Sequence, residues 1–216
     1  MHIVSVNVSL PREVTINDRR ITTGIFKEPV DGPVRLGTLN LDGDRQADLT
    51  VHGGPDKAVY VYPVEHYAFW RDEFPEMALP WGMFGENLTA SWAREDAVNI
   101  GDRYRVGSAE IMITQPRLPC YKLGVKFGRR DMVRRFLASG RTGFYLAVVR
   151  EGTVEAGDEI ELIEQDRHGV TVADITRLYA DETVGRDLLI RAEQAPGLPD
   201  SWKAHIRKRL DHEAAP

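Results

Sequence analysis

The feature that most constrains this chain is a change of hydrophobic period near residue 166. Before it, apolar residues alternate with polar ones in short runs broken by glycine. After it, they recur every three to four residues. "HIVSVNVSL", "REVTINDRRITTGIFKEPV", "VRLGTLNLDGD" and "KAVYVYP" read as strands, because successive side chains on a strand point to opposite faces. The second of these turns near Asn17-Asp18 as a hairpin. "AVNIGDRYRVGSAEIMITQP" and "TGFYLAVVREGTVEAGDEIELIEQD" share one cadence: alternation, a Gly-Asp corner, alternation again. Glycine corners let a sheet of short strands bend sharply, which suits a closed or nearly closed barrel. Residues 1–166 are therefore expected to form a mainly β barrel with two inserted helices. One helix opens at Pro63, aligns Val64, Tyr67, Trp70 and Phe74, and stops at Pro75. The other, "RRDMVRRFLASG", turns Met132, Val133, Phe136 and Leu137 to one face and ends at Gly140.

Residues 167–216 are expected to form a small C-terminal domain of three helices, over 171–179, 183–192 and 201–210. Thr171 with Asp174 resembles a capping box. The inward faces are Ile175, Leu178 and Tyr179; Val184, Leu188 and Ala192; and Trp202, Ile206 and Leu210. Helices this short are marginal alone. They are expected to pack on one another and on the barrel or a second subunit, the latter giving a homodimer. The middle helix mixes Arg186 and Arg191 with Asp187 and Glu193, a poor balance for a DNA-recognition helix. Only the last helix, with Lys203, Arg207, Lys208 and Arg209, is basic. The net charge of −5 also argues against nucleic acid as a partner. No apolar run reaches the length of a membrane span, and the first residues alternate unlike a signal peptide. One cysteine excludes an internal disulfide, so a cytoplasmic location is expected.

Four stretches can carry chemistry. His52-Gly53-Gly54-Pro55-Asp56-Lys57 combines glycines that admit an anion to backbone N–H groups with a cation and a titratable ring. A plain hairpin loop is the alternative. Phe84-Gly85-Glu86-Asn87 offers a tight bend and an amide that both donates and accepts, or a loop whose Asn caps backbone groups. "QPRLPCYKLGVKFG" holds Cys120. Pro116 and Pro119 stiffen its approach. Arg117 and Lys122 flank it, and nearby positive charge favours thiolate, the nucleophile and soft metal ligand. An inert buried thiol is the other reading. A run of cations follows, from Lys122 and Lys126 through Arg129, Arg130, Arg134 and Arg135 to Arg141, with Asp131 the single acid. Arg141-Thr142-Gly143 closes that run and can bind phosphate, or simply join helix to strand. Zinc spacing, the P-loop, the dinucleotide fingerprint and the nucleophile elbow are all missing.

In their order along the chain, "VHGGPDKAVYVYPVEHY", "FGENLT", "GDRYRVGSAEIMITQPRLPCYKL" and "RTGFYLAVVREGTVEAGDEIEL" resemble the MOSC family, named for the C-terminal domain of molybdenum cofactor sulfurases. The tail "VTVADITRLYAD…GLPDSWKAHIRKRL" is similar to the three-helix extension of its YiiM-like subfamily. The resemblance covers nearly the whole chain. It implies a MOSC-type β-barrel followed by a small C-terminal three-helix domain. It implies the molybdenum cofactor, a molybdopterin dithiolene carrying a phosphate, with Cys120 as thiolate ligand to the metal. It further implies reduction of N-hydroxylated compounds such as hydroxylaminopurine bases. Under it, His52 and Asp56 are candidates to relay protons or fix the pterin, and Asn87 to meet the cofactor's polar edge. Arg117, Arg141 and Thr142 are candidates for the phosphate. Gly53, Gly54, Lys57, Phe84, Gly85 and Gly143 complete the candidate cofactor-binding set. The reduction needs two electrons, and the chain has no flavin, haem or iron–sulfur motif. A separate flavin-containing reductase is therefore expected as electron donor. The alternative within the same resemblance is a sulfur carrier that bears a persulfide on Cys120.

Overall fold

The alternating segments pair as strands in the computed structural model, which describes residues 1–16, 19–47 and 53–214. The strands are β1 (His2–Val8), β2 (Arg12–Ile16), β3 (Arg19–Thr23), β4 (Glu28–Val30), β5 (Val34–Leu36), β6 (Val59–Pro63), β7 (Leu88–Ser91), β8 (Arg103–Val106), β9 (Ala109–Pro116), β10 (Phe144–Arg150), β11 (Gly152–Val154) and β12 (Ile160–Glu164). The helices are α1 (His66–Glu73), α2 (Tyr121–Phe127), α3 (Met132–Ser139), α4 (Val172–Ala180), α5 (Arg186–Gln194) and α6 (Asp200–Ala214). Eight strands form one sheet in the order β12-β8-β9-β10-β6-β7-β1-β4, and two-stranded sheets pair β11 with β5 and β2 with β3. In the large sheet only β6 and β7 run parallel, and the connection between them contains α1, as a parallel pair requires a crossover. β2 and β3 pair as the expected hairpin, Arg12 opposite Thr23 through Ile16 opposite Arg19. Its turn at Asn17-Asp18 lies outside the described residues.

The closed or nearly closed barrel expected from the sequence is met in part: the fold is a mixed α/β arrangement around one large, bent sheet. Among the described residues no ladder joins β12 to β1. A single bridge, His2 to Glu159, and the bonds Ile3 N–H to Asp158 O and Ile160 N–H to Met1 O tie the two together. The reason is local: β4 takes the outer edge of β1 at Val6–Val8, so only the first residues of β1 face β12. Register shifts in β1, β10 and β12 supply the bending.

β6 is buried at all five positions. Val59 and Val61 enter the main core, whereas Tyr60 and Tyr62 enter a second, aromatic cluster under α1, α2 and α3. A strand covered on both faces reads as a continuous apolar run. Here valine marks one face and tyrosine the other.

Three α-helices, not two, interrupt the strands before residue 166. The missing one, α2, has seven residues with Gly124 inside, too short and too glycine-weakened to show a period. Pro63 closes β6 rather than opening α1, which starts at His66. On α3 Met132 and Phe136 are buried but Leu137 is exposed, and Gly140 caps the helix in the left-handed region. Thr171 and Asp174 form the full capping box. Of the inward faces expected in the last three helices, Tyr179 is instead exposed and Trp202 only half-buried. Ile175, Leu178, Leu188, Ala192 and Ile206 join the same apolar core as the sheet. Bonds from Ile100 N–H to Val170 O and Val172 N–H to Val98 O stitch α4 to the strand region. No helix among the described residues is long and apolar enough to cross a membrane.

Candidate functional site

β9 delivers the chain to Pro116, and the turn that follows ends at Cys120, which caps α2 with extended backbone angles. The thiol is free and half-buried. It belongs to two adjoining hollows. The inner slot, about 100 Å³, is lined by Lys27, Lys57, Asn87, Arg117, Cys120 and Tyr145 among others. The outer hollow, about 380 Å³, shares Lys57, Leu118, Cys120 and Tyr145 with it and continues to Tyr179 and Trp202. The slot alone is smaller than an ordinary organic-ligand pocket, but the joined space is of that class, roughly 300–1,000 Å³.

The inner slot is cationic. Arg117 is 6% exposed, yet its Nη1 has no hydrogen-bond partner. Its guanidinium lies 5.0 Å from the Tyr60 ring centre and 5.2 Å from that of Phe136. Burial opposes its charge, but Tyr60, Tyr145 and Cys120 beside it outweigh burial and lift its pKa. A buried donor left without a partner is costly, so an anion entering the slot meets an N–H already stripped of water. Lys27 is paired with the fully buried Asp44. Burial still lowers the Lys27 pKa against the pull of Asp44 and Glu86. Lys126 does not line the slot but lies in the field of its cations, donating to Ile25 O at 2.9 Å and Gly82 O at 2.5 Å. Burial lowers it to about 8, and the neighbouring cations Lys27, Arg12 and Arg117 push the same way. Arg45 and Lys122 complete the rim.

The structure brings together Gly53, Lys57, Gly85, Asn87, Arg117 and Cys120, all of which line the slot. Their contacts differ in kind. The Asn87 amide is spent on the protein: Oδ1 accepts from Tyr60 N–H at 3.1 Å, and Nδ2 donates to Asp44 at 2.9 Å. Gly85 has φ +80°, and a Cβ there would lie 2.8 Å from Ile25 Cγ1. Phe84 is not at the slot. It is fully buried and stacked on Tyr62 at 4.3 Å. Gly54 has φ +88° with open space where a Cβ would stand. Asp56 lends its carbonyl to Thr114 Oγ1 at 2.7 Å. Its carboxyl pKa is raised by burial and then by Asp200 at the start of α6, with Lys57 opposing. His52 lies outside the described residues.

Arg141, Thr142 and Gly143 line neither hollow. Arg141 stacks 4.0 Å over Phe69 and donates to Ser139 O. Thr142 is fully buried, and its carbonyl accepts the Tyr60 hydroxyl at 2.8 Å. The Gly143 N–H donates to Glu95 at 2.6 Å, a carboxylate that also accepts from His66 Nε2 at 2.8 Å. This turn positions the back of Tyr60 rather than the slot.

Sequence reasoning missed Lys27, Arg45 and Tyr145 at the slot, and Trp202 and His205 at the outer hollow. Each lies far from the cysteine in sequence. The one local signal was Tyr60 and Tyr145, polar-tipped aromatics on otherwise apolar strands.

The MOSC domain family matches residues 48–161, and the YiiM-like, 3-alpha helix domain family matches residues 170–213. The Bacillus subtilis protein YflK is 40% identical over 97% of this chain and 94% of its own. The crystal structure of YiiM from Geobacillus stearothermophilus superposes with a TM-score of 0.81 at 34% identity, covering 97% of this chain and 98% of that one. A Gibberella moniliformis protein named "Reductase" is 33% identical over 88% of this chain, a match that fills 34% of its own length.

Proposed function

Because the chain belongs to the MOSC family and carries the YiiM-like three-helix extension, we propose that it binds the molybdenum cofactor through Cys120 and reduces N-hydroxylated compounds. The observation that carries this reading is the unpartnered, buried Arg117 Nη1 in a slot that also holds the chain's one thiol. A soft sulfur ligand suits a metal already held by sulfur. The cationic slot suits a phosphate-bearing pterin. When bound, the cofactor supplies a two-electron centre able to take an oxygen atom from an N–OH group.

The chain's own residues have four tasks. The Cys120 Sγ presents the thiolate at the junction of the hollows. Arg117, Lys27, Lys57 and Lys122 hold the anionic end of the ligand. Tyr60, Leu118 and Tyr145 wall the junction against water. Asp56, next in sequence to Lys57 but outside the lining of both hollows, is the candidate proton carrier, its carboxyl pKa raised by burial and by Asp200. The overall reaction balances as RNHOH + 2e⁻ + 2H⁺ → RNH₂ + H₂O. A separate flavin-containing reductase supplies the electrons. The name of the fungal relative, "Reductase", supports the oxidoreductase reading.

The test is protein made in a molybdenum-replete host. Molybdenum is measured per chain, and reduction of an N-hydroxylated base is followed with a flavin-based donor. Cys120→Ser should abolish turnover while lowering pterin content less, because the phosphate is held by other groups. Equal rates for wild type and Cys120→Ser would overturn the ligand assignment. A molybdenum-free chain with sulfur added to Cys120 by intact mass would establish the sulfur-carrier role instead.

A further inference from the structure

The outer hollow is built from two sides. Leu118, Cys120 and Tyr145 line it from the sheet, and Tyr179 of α4 with Trp202 and His205 of α6 line it from the helices. Trp202 and His205 stand three residues apart, so they share one face of α6. The Trp202 ring is not free to swing. Its Nε1 donates to Gln115 Oε1 at 2.9 Å, and Gln115 Nε2 reaches Asp56 O at 3.4 Å. Gln115 lies on β9, five residues before the cysteine. The indole is thereby held at a set place relative to the thiol.

Tyr179 meets Trp202 edge-on, with ring centres 6.1 Å apart and planes at 66°. It is 57% exposed, although it sits on a helix whose Ile175 and Leu178 are fully committed to the core. Part of Trp202 packs against the core of the sheet, but core packing accounts for neither the exposed Tyr179 nor the open part of the Trp202 ring in the hollow. A hollow of about 380 Å³ with two aromatic walls, the polar atoms of His205 and a thiol at its floor has the makeup of a small-molecule site. Aromatic rings that keep one face open stack flat heterocycles of any sequence or substituent.

We propose that the three-helix segment is the substrate wall of the Cys120 site, and that Trp202 and Tyr179 select flat aromatic N-hydroxyl compounds over aliphatic ones. This assignment rests on the reductase reading for its chemistry, but not for its geometry. Trp202 is a specificity-determining residue, and Gln115 is a positioning residue that acts through it.

The experiment uses the full chain from a molybdenum-replete host. Values of kcat/KM are compared for N6-hydroxyadenine and N-methylhydroxylamine. Wild type should prefer the aromatic compound, and Trp202→Ala should cut that preference by about tenfold, the scale of one lost base–aromatic stack. The loss should fall mainly in KM. Trp202→Phe should keep most of the preference. Tyr179→Ala, at an exposed position that leaves the fold intact, should lower it by about threefold. An equal fall on both substrates, or a wild type without preference, would overturn the proposal. Binding of adenine, which carries no N–OH group, is measured on the same samples by saturation-transfer NMR. If neither compound is reduced, the reductase reading fails, and adenine still decides the wall: weaker binding to Trp202→Ala upholds it, and equal binding sinks it.

Discussion

Arg117→Met separates a ligand-binding arginine from a structural one, because the two roles predict opposite balances of stability and affinity. Methionine keeps an unbranched apolar stem of similar reach and removes the charge. The wild-type side chain is 6% exposed, has an unpartnered Nη1 and forms no carboxylate ion pair among the described residues. The variant loses two cation–π contacts, at 5.0 and 5.2 Å, worth up to about 2 kcal/mol each when desolvated. It also escapes the desolvation of a buried charge, a cost that Tyr60, Tyr145 and Cys120 already outweigh in the wild type. The lost contacts are therefore only partly offset, and the stability of the cofactor-free chain should fall by about 1–2 kcal/mol. Affinity for an anion should fall much further. A hydrogen bond to a charged group contributes about 1.5–3 kcal/mol, which is roughly 10- to 150-fold. The assay is urea unfolding beside calorimetric titration with inorganic phosphate, with molybdenum content measured on chain from a replete host. A stability loss of about 3–5 kcal/mol, the usual cost of breaking a buried structural pair, with phosphate affinity unchanged would refute the reasoning.

Gly143→Ala should destabilise the fold by at least about 1–2 kcal/mol from its left-handed backbone alone, because φ is +63° and the new Cβ would also collide with the Val61 carbonyl; a thermal midpoint equal to wild type would contradict this. Asp56→Asn should stabilise the chain at neutral pH. Its raised pKa means that ionisation weakens the native state as pH rises through the folded value, and the advantage of Asn should shrink toward pH 3.8, the ordinary Asp value. Urea midpoints at pH 4 and 7.5 measure it, and a loss at pH 7.5 would be the wrong sign. Lys126, lowered to about 8 by burial and neighbouring cations, should titrate higher once phosphate fills the slot, since added negative charge favours the ammonium form. Side-chain nitrogen NMR with and without phosphate reads this through the charge coupling of Lys126 to Lys27 and Arg117, and an unmoved titration would count against phosphate in the slot.

Much of this molecule was legible along the chain. Alternation located β1, the β2–β3 hairpin, β6, β8–β10 and β12, and the later period of three to four residues located all three C-terminal helices. Those signals are local, because a strand or helix places its side chains by covalent spacing alone. The capping box at Thr171 and Asp174 was readable for the same reason. Cys120 stood out by its prolines and cations, and Arg117 beside it proved to be the buried cation of the slot.

The remainder depended on which distant segments meet. Arg141-Gly143 has the composition of a phosphate loop, but Glu95 and Tyr60 arrive from elsewhere and claim its backbone. Asn87 has a versatile amide, yet Asp44 and the Tyr60 backbone already occupy it. Lys27 looks like any surface lysine until the segment leaving β3, Thr23 to Lys27, is brought against the slot. How far the sheet closes was also invisible, since a three-residue strand, β4, takes part of the edge of β1. The sequence by itself determined most of the elements and singled out the lone thiol, because both are written in neighbouring residues. Only the tertiary structure decided that Cys120 stands between a cationic slot and an aromatic wall. Those walls come from residues 27 to 205, brought together by strand register and helix packing, and no local spacing encodes such a meeting.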